Sequence, residues 1–287
     1  MSDNFKWHKM KDKDIPAVEK LLRENEDNYV NACGRYLSRK ESNDPVWLLK
    51  KQNGRISSLV VSSRSALMPV LCGVNKIPQP DFLGGFLNIK KIHSVQGLKD
   101  EVILLEEALE KTGRKPADKY DYDLMELNSL RVMLNKNQKA RSKEAEKLVI
   151  RAPVMSDLND LSVLQAGYEK EEVIPKGSVF NPAASRVNAE AIIAGGMVLA
   201  AELDGRIIGK INTNAVSFTR YQVGGVYVHP DFRGKGIASR MTYEFTASLL
   251  SGKRGVTLFV KKTNAAARRL YLNLGFTVKS DYRITYY

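Results

Sequence analysis

The sequence predicts an α/β protein organised as two similar halves in tandem, and three observations support this. A helix with a cap residue and an apolar face begins at Asp14 and again at Asp157. Each helix is followed by two β-type runs joined by a turn dipeptide, Asn53-Gly54 in the first half and Asp204-Gly205 in the second. A strand, a glycine-rich loop and another helix occupy residues 224–249. Because the same order recurs, we predict one fold used twice.

The composition is that of a globular protein. Hydrophobic residues make up 43% and charged residues 27% of the chain, and no apolar run approaches the roughly 18 residues of a membrane-spanning helix. Since the N-terminus lacks a charged-then-apolar secretory signal, we expect a cytoplasmic protein with no membrane contact. Cys33 and Cys72 are expected to be reduced thiols in the core, and the three histidines show no metal-ligand spacing, so no metal is expected.

The chain is basic, with a formal net charge of +13, and the excess is concentrated near its C-terminus. Between Arg233 and Arg283 there are 11 Lys or Arg residues, against only Glu244 and Asp281. A solvated face would explain this excess, but a ligand that carries several phosphates would explain it equally well.

The elements of the first half follow from its apolar periodicity. We predict strands at residues 5–10, 46–49, 56–61, 92–95 and 120–127, and helices from Asp14 and over residues 98–112. Residues 135–147 are polar and strongly charged, as in an exposed connection. We therefore place a boundary near residue 140, which divides the chain into domains at 1–140 and 141–287.

The second half repeats this order and then becomes more informative. After the strand at 148–152, the helix from Asp157 and the hairpin at Asp204-Gly205, the β-formers Val226, Tyr227 and Val228 predict a strand that Pro230 ends. A helix follows Gly236, because apolar residues recur there every four positions. These residues are Ile237, Met241, Phe245 and Leu249.

The loop between that strand and that helix is suited to bind an anion. The unpaired amides of a helix's first turn and the helix dipole favour negative charge, and Gly234 and Gly236 let the backbone approach it closely. Arg233 and Lys235 would add positive charge. Other phosphate-binding folds also use such loops, but the Lys-Ser/Thr ending of a P-loop and the glycine spacing of a dinucleotide fold are absent.

The segment Arg233-Gly234-Lys235-Gly236-Ile237-Ala238 resembles the Arg/Gln-x-x-Gly-x-Gly/Ala signature of the GNAT N-acetyltransferases. This resemblance implies that the loop amides bind the pyrophosphate of acetyl-CoA as co-substrate. It also implies that Val226, Tyr227 and Val228 contact the pantetheine arm. For the fold, it implies an α/β (α+β) architecture of two GNAT-like domains, each with a central mixed, mostly antiparallel sheet flanked by helices.

A second block supports the first. Residues 264–276 are similar to the family's Asn-x-x-Ala-x-x-Leu-Tyr-x-x-x-Gly-Phe segment at every position of that pattern, and the resemblance extends over residues 147–287. It implies that Asn264 contacts pantetheine and that Tyr271 protonates the departing thiolate. Asn264 is equally suited to cap a helix, which is compatible with cofactor contact. For Tyr271, packing as a core aromatic is the less favoured alternative.

The first half departs from the pattern. After the predicted strand at 92–95 comes Gln96-Gly97-Leu98-Lys99, with one glycine and no Arg-x-x-Gly-x-Ala. We therefore interpret residues 1–140 as a degenerate copy of the fold, without the cofactor site.

The implied reaction is attack of a neutral amine on a thioester, which needs a base, an oxyanion donor and an acid. Tyr271 is the predicted acid, and by resemblance the Val228 amide polarises the carbonyl. Glu202, Glu171 and Glu172 are possible bases, and the sequence does not choose among them.

The predicted activity is N-acetyl transfer from acetyl-CoA to a small-molecule or peptide amine whose identity the fold does not specify. Residues 168–196 are expected to line the acceptor side. Two alternatives remain open: an acyl-CoA sensor without catalysis, and an aminoacyl-tRNA-dependent transferase, which the basic charge would suit. The intact loop motif argues against the latter, so we expect no nucleic-acid partner.

Overall fold

The fold is a mixed α/β structure, known from a computed structural model. The structure describes residues 6–41, 44–51, 53–77, 92–130, 147–252 and 255–287. The boundary predicted near residue 140 lies outside these ranges.

The first half supplies six strands and three helices to the described structure. The strands are β1 (Lys6–Lys9), β2 (Val46–Lys50), β3 (Ile56–Ser63), β4 (Ala66–Val70), β5 (Ser94–Leu98) and β6 (Asp118–Leu127). The helices are α1 (Ile15–Glu24), α2 (Glu26–Leu37) and α3 (Lys99–Glu110). Each of the elements predicted from the periodicity of this half has a counterpart here, with bounds that differ by a few residues.

The second half shows the same order of strands and helices, with one more helix between its fourth and fifth strands, where the first half has residues outside the described ranges. Its strands are β7 (Val149–Arg151), β8 (Val198–Leu203), β9 (Arg206–Val216), β10 (Arg220–Val228), β11 (Gly255–Lys261) and β12 (Thr277–Tyr286). Its helices are α4 (Leu158–Tyr168), α5 (Pro182–Ala194), α6 (Ile237–Leu250) and α7 (Ala265–Leu274). A π-helical turn at Glu169–Val173 extends α4, and such turns occur frequently at functional sites.

All twelve strands form one mixed sheet in the order β1-β2-β3-β4-β5-β12-β6-β11-β10-β9-β8-β7. Two pairs are parallel, β4 with β5 and β10 with β11. The other neighbouring pairs are antiparallel. The predicted mixed, mostly antiparallel arrangement is confirmed.

The closing strands of the two halves are exchanged. Strand β12, from the second half, lies between β5 and β6 of the first half, with Tyr286 opposite both Ser94 and Asp118. In turn β6 pairs with β11 of the second half, from Val256 opposite Leu127 to Lys261 opposite Tyr122. Each half therefore completes its sheet with a strand from the other.

Helix α6 covers one face of the second half's sheet with the apolar stripe predicted from the sequence. Ile237, Met241, Phe245 and Leu249 are all buried in one hydrophobic cluster with residues of β10 and β11. This packing fixes the N-terminus of α6 next to the end of β10, because only three residues of 3-10 helix and a short loop connect them.

Three details of the sequence interpretation are corrected. The Asn53-Gly54 hairpin is closed by Lys51 and Arg55, which is wider than a two-residue turn, and of the predicted turn pair Gly54 has a positive φ (79°) and Asn53 does not. Cys72 is exposed, whereas Cys33 is buried as predicted. Finally, the sequence analysis compared the segment after the strand at 92–95 with the glycine loop that follows β10. That strand is β5, which is the second strand of a parallel pair and so corresponds to β11. The strand that corresponds to β10 is β4.

Candidate active site

The site is a cleft where two parallel strands separate. Strands β10 and β11 pair only from Arg220 opposite Gly255 to Val223 opposite Leu258. Strand β10 continues to Val228 and β11 to Lys261 without further pairing between them. The backbone groups that face this gap are therefore free of the ladder that would otherwise join the two strands.

A β-bulge in β10 reinforces the separation. On the β9 side, Gly224 lies opposite Asn212 and Tyr227 opposite Lys210, so Gly225 and Val226 fall outside the regular register. Gly225 has a φ of 58°, and a Cβ there would lie 2.6 Å from the Lys210 Nζ and still closer to the Asn212 Oδ1. Only glycine fits at this position, on grounds of both conformation and space.

The cleft widens into a cavity of about 610 Å³. One wall is formed by β10 and β11, through Gly224, Gly225 and Val226 on one strand and residues 258–261 on the other. Tyr168, Glu172 and residues 173–175 line it from the end of α4 onwards, within the segment predicted for the acceptor. The opposite wall comes from the first half of the chain, including Arg35, Arg64 and His93.

The glycine loop before α6 has the geometry of an anion cradle. Gly234 and Gly236 have φ values of 80° and 78°, and a Cβ at either would meet no atom within 4 Å. Gly236 is the N-cap of α6, so the first-turn amides of this 14-residue helix begin at Ile237 and Ala238, next to that open space.

Arg233, one of the two predicted cationic residues of this loop, already pairs with a carboxylate. The Arg233 guanidinium donates to both Glu171 carboxylate oxygens (2.9 and 3.1 Å), and its Nε donates to the Val228 carbonyl at 3.0 Å. The Tyr227 hydroxyl donates to the same carboxylate at 2.7 Å. Burial and Glu171 raise the pKa of Tyr227 to about 12. Side chains of the loop, the strand and the π-helical turn thus form one cluster beside the cleft.

The second sequence block meets the cleft from the β11 side. Asn264 caps α7, accepting from the Ala267 N–H at 3.0 Å, and its Nδ2 donates to Glu172 at 3.1 Å. Tyr271 lies further along α7, and both it and Asn264 line the cavity. The Tyr271 ring packs edge-on against Phe276, with the ring centroids 5.6 Å apart. Burial raises the pKa of Tyr271, so its hydroxyl keeps its proton at neutral pH.

The structure separates the remaining sequence candidates. Val226 lines the cavity, whereas Tyr227 and Val228 are buried and do not. Of the possible bases, Glu172 lines the cavity and also pairs with Lys261 at 3.4 Å. Glu171 is held by Arg233 and Tyr227, and Glu202 is paired with Arg151 at 2.5 Å on β8.

A buried lysine behind the bulge was not identified from the sequence. The Lys210 side chain is fully buried, and its Nζ donates to the Asn212 Oδ1 at 2.9 Å and to the Gly225 carbonyl at 3.0 Å. Burial lowers the pKa of Lys210 to about 7, with Glu169 acting in the opposite direction. A lysine inside the apolar run 207–211 was the available signal.

Lys210 also fixes the direction of a backbone amide. The Gly225–Val226 peptide is trans, so its N–H points opposite to the carbonyl that Lys210 holds. This peptide lies in the bulge, so it is outside the regular register with β9, and the pairing of β10 with β11 ends before it. Neither strand ladder therefore uses the Val226 N–H.

The lowered pKa predicts a pH-dependent stability. Between about pH 7 and the unfolded value of 10.5, the unfolded chain binds the proton that folded Lys210 has lost, so folding stability rises with pH across this window. Lys210→Met removes that contribution. Its free energy of unfolding relative to the parent should therefore be most favourable at pH 7 and below, and should fall by a few kcal/mol towards pH 10.

Denaturant unfolding of both proteins from pH 6 to pH 10 checks this. The hydrogen bonds lost in Lys210→Met change its unfolding free energy by the same amount at every pH. The difference in how the unfolding free energies of the two proteins depend on pH therefore reports the titration of Lys210 alone. Parallel curves for the two proteins would contradict a lowered pKa.

In the first half, the loop that corresponds to the glycine loop follows β4, and a carboxylate of the chain itself occupies its amides. After β4, the backbone N–H groups of Leu71 and Cys72 donate to one carboxylate oxygen of Glu101 on α3, at 3.0 and 3.1 Å. The Tyr29 hydroxyl donates to the same oxygen at 2.6 Å. No Arg-x-x-Gly-x-Ala follows β4 in the sequence. In the part of this loop that the structure describes, the Leu71 and Cys72 amides are thus already hydrogen-bonded to the chain's own carboxylate.

Within the described ranges, no group of three His, Cys, Asp or Glu side chains is arranged to hold a metal ion. No described helix combines the length and apolar character needed to cross a bilayer.

Residues 167–276 match the family model described as the acetyltransferase (GNAT) family. This segment, which contains β10, the glycine loop, α6, β11 and α7, is therefore a GNAT acetyltransferase domain. A search of curated proteins gave no match.

Solved structures resemble the chain over nearly its whole length. A GCN5-related N-acetyltransferase from Sphaerobacter thermophilus has a TM-score of 0.60 at 18% identity, covering 99% of this chain and 96% of that one. A GNAT-family acetyltransferase from Colwellia psychrerythraea has a TM-score of 0.54 at 10% identity, covering 98% and 100%. A tandem GNAT protein from the clavulanic acid biosynthesis pathway has a TM-score of 0.59 at 10% identity, covering 98% of both chains. At these identities the likeness shows the fold, which is GNAT-like across the chain.

Proposed function

We propose that the protein is an N-acetyltransferase that moves an acetyl group from acetyl-CoA to an amine. The observation that carries this proposal is the continuity of the site: the cleft between β10 and β11 lies beside a glycine loop and a helix N-terminus on one side, and opens into a large cavity on the other. An elongated cofactor with a phosphorylated end and a reactive end fits such a path. The cavity beyond leaves room for an acceptor.

The residues present suit acetyl-CoA. The first-turn amides of α6, behind Gly234 and Gly236, would bind its pyrophosphate, with Lys235 adding positive charge beside the Arg233–Glu171 pair. The free backbone edge of β10 and the Asn264 side chain would bind the pantetheine arm. When bound, acetyl-CoA supplies an acetyl group activated as a thioester.

Three groups of the chain would serve the transfer. The Val226 N–H would donate to the developing oxyanion. Its direction is fixed because Lys210 holds the Gly225 carbonyl of the same peptide. We prefer it to the Val228 amide, because Val226 lines the cavity and Val228 does not. Glu172 would accept the proton of the attacking amine, and the Tyr271 hydroxyl would hold a proton for the departing thiolate.

We further propose that the chain comprises domains at 1–140 and 141–287, the first a copy that has lost its cofactor. The occupation of the Leu71 and Cys72 amides by Glu101 supports this. Calorimetry should therefore give a stoichiometry near one acetyl-CoA per chain. Two equivalent sites per chain would contradict the degenerate-copy proposal.

Release of free CoA thiol, followed across a panel of amines, tests the activity. Amine-dependent release supports the transferase. Tight binding of acetyl-CoA with no release for any amine would favour the non-catalytic sensor, and release that requires charged tRNA would favour the aminoacyl-tRNA-dependent transferase.

A further inference from the structure

The wall of the cavity that faces the cofactor cleft carries two arginines from the first half of the chain. Arg35 lies on α2, and Arg64 lies in the turn between β3 and β4. They line the same cavity as Tyr168, Asn214 and Tyr271 of the second half. The cavity thus has a cofactor side and an arginine side.

Neither guanidinium is neutralised by a carboxylate of the described chain. The described residues contain no ion pair or side-chain hydrogen bond for Arg35 or Arg64. Asp44 accepts from the backbone N–H of Arg64 at 3.0 Å. Burial and the nearby charge of Arg64 both lower the pKa of Arg35, so the two cations are close enough to repel each other. Holding a half-buried cation beside a like charge is unfavourable without a compensating anion.

The turn that presents Arg64 is itself strained. Ser63 pairs with Ala66, so Arg64 and Ser65 form a two-residue hairpin loop, with φ values of 48° and 67°. Asn, Asp and Gly are favoured in such turns, as in the Asp204-Gly205 hairpin of the second half. A left-handed backbone at Arg64 and Ser65 costs conformational energy, and strained residues of this kind cluster at functional sites.

Charge is segregated across the cavity. Glu172 is the only carboxylate among the described lining residues, and it lies with Asn264 and Lys261 on the cofactor side. Around the arginines the described lining has no carboxylate; it contains the polar residues Asn31, Ser63, His93, Ser94 and Gln96 and the apolar residues Ala66 and Met68. An acceptor with an amine at one end and an anion at the other would satisfy both sides.

We propose that Arg35 and Arg64 form an anion subsite that binds the carboxylate or phosphate of a small acceptor amine. This proposal rests on the proposed function and specifies its substrate class. The anion would accept charge-assisted hydrogen bonds from the guanidinium groups, which orients the amine towards Glu172 and the thioester. A site built for an anion should discriminate against the neutral analogue, because the arginines would then stay unpaired.

Matched pairs of amines test the subsite. β-Alanine is compared with β-alaninamide, and phosphoethanolamine with ethanolamine, by CoA-thiol release at fixed ionic strength. We expect kcat/KM to be at least about 10-fold higher for the anionic member of one pair, mostly through KM. Which pair shows the preference tells whether the anion is a carboxylate or a phosphate.

Arg35→Gln and Arg64→Gln should each reduce that preference towards unity, and Arg35→Lys should restore part of it. Arg64 is exposed, so its replacement leaves the core intact. Arg55→Gln is the matched control, since Arg55 is an exposed arginine in the neighbouring hairpin and does not line the cavity. An anionic-to-neutral ratio near one in the parent, or a ratio unchanged in both glutamine variants, would overturn the subsite.

Calorimetry of the full chain with CoA separates this proposal from the transferase proposal. If no amine is acetylated but β-alanine or phosphoethanolamine binds, and binding is lost in Arg64→Gln, the subsite stands and the transferase proposal fails. If neutral and anionic amines are acetylated equally, the transferase proposal stands and the subsite fails. If neither anionic amine binds or reacts, the subsite is overturned.

Discussion

Gly236→Asp is expected to abolish binding of acetyl-CoA, lowering its affinity by at least about 100-fold. Gly236 is the N-cap of α6, and the space in front of it is open, so an aspartate side chain can be accommodated. Its carboxylate would accept hydrogen bonds from the helix's own first-turn amides, as capping aspartates do, and would repel a pyrophosphate. Calorimetric titration with acetyl-CoA, and circular dichroism to verify folding, measure the effect.

Gly205→Asp is the matched control for this substitution. Gly205 has a φ of 80° and, like Gly236, no atom within 4 Å of a Cβ position, but it lies in the β8–β9 hairpin. Both variants therefore carry the same backbone strain, of order 1 kcal/mol. If a folded Gly236→Asp protein bound acetyl-CoA as tightly as Gly205→Asp did, the loop would not be the phosphate site.

Tyr271→Phe is expected to lower kcat by roughly 10²-fold while leaving acetyl-CoA affinity nearly unchanged. The substitution keeps the ring that packs on Phe276 and removes only the hydroxyl that burial keeps protonated. Single-turnover thiol release with an accepted amine would measure the chemical step directly.

Two further variants distinguish catalysis from packing at Tyr271. Tyr271→Ala should also destabilise the protein by about 3–5 kcal/mol, because it leaves a cavity in the core. Tyr36→Phe removes another buried tyrosine hydroxyl, from a first-half residue that is not among those lining the cavity, and should leave kcat unchanged. An unaltered rate in Tyr271→Phe at every pH would remove the hydroxyl from the mechanism.

The features that the sequence predicted well depend on local interactions. A cap such as Asn264, a left-handed glycine such as Gly236 and the four-residue periodicity of α6 involve residues at most a few turns apart. For the same reason the amino-acid sequence alone is enough to assign the Arg233–Ala238 motif to a loop and a helix N-terminus.

The features that it did not predict depend on pairing between distant segments. Nothing in the sequence near Arg35 or Arg64 indicates that both face a cavity lined by Tyr271, more than 200 residues later. The buried position of Lys210 follows from a bulge in the neighbouring strand. The correspondence of β4 with β10 became clear only from parallel pairing, because no Arg-x-x-Gly-x-Ala follows β4 in the sequence.

The strand exchange has a consequence for biosynthesis. The ribosome delivers β5 and β6 long before Thr277–Tyr286, yet β12 is the strand that must join them. Until then the nascent chain presents two unpaired strand edges, which are prone to intermolecular pairing. Removing β12 would delete the sixth of twelve strands from the middle of the sheet rather than an edge. We therefore expect the first half to become resistant to proteases only after the ribosome has synthesised β12.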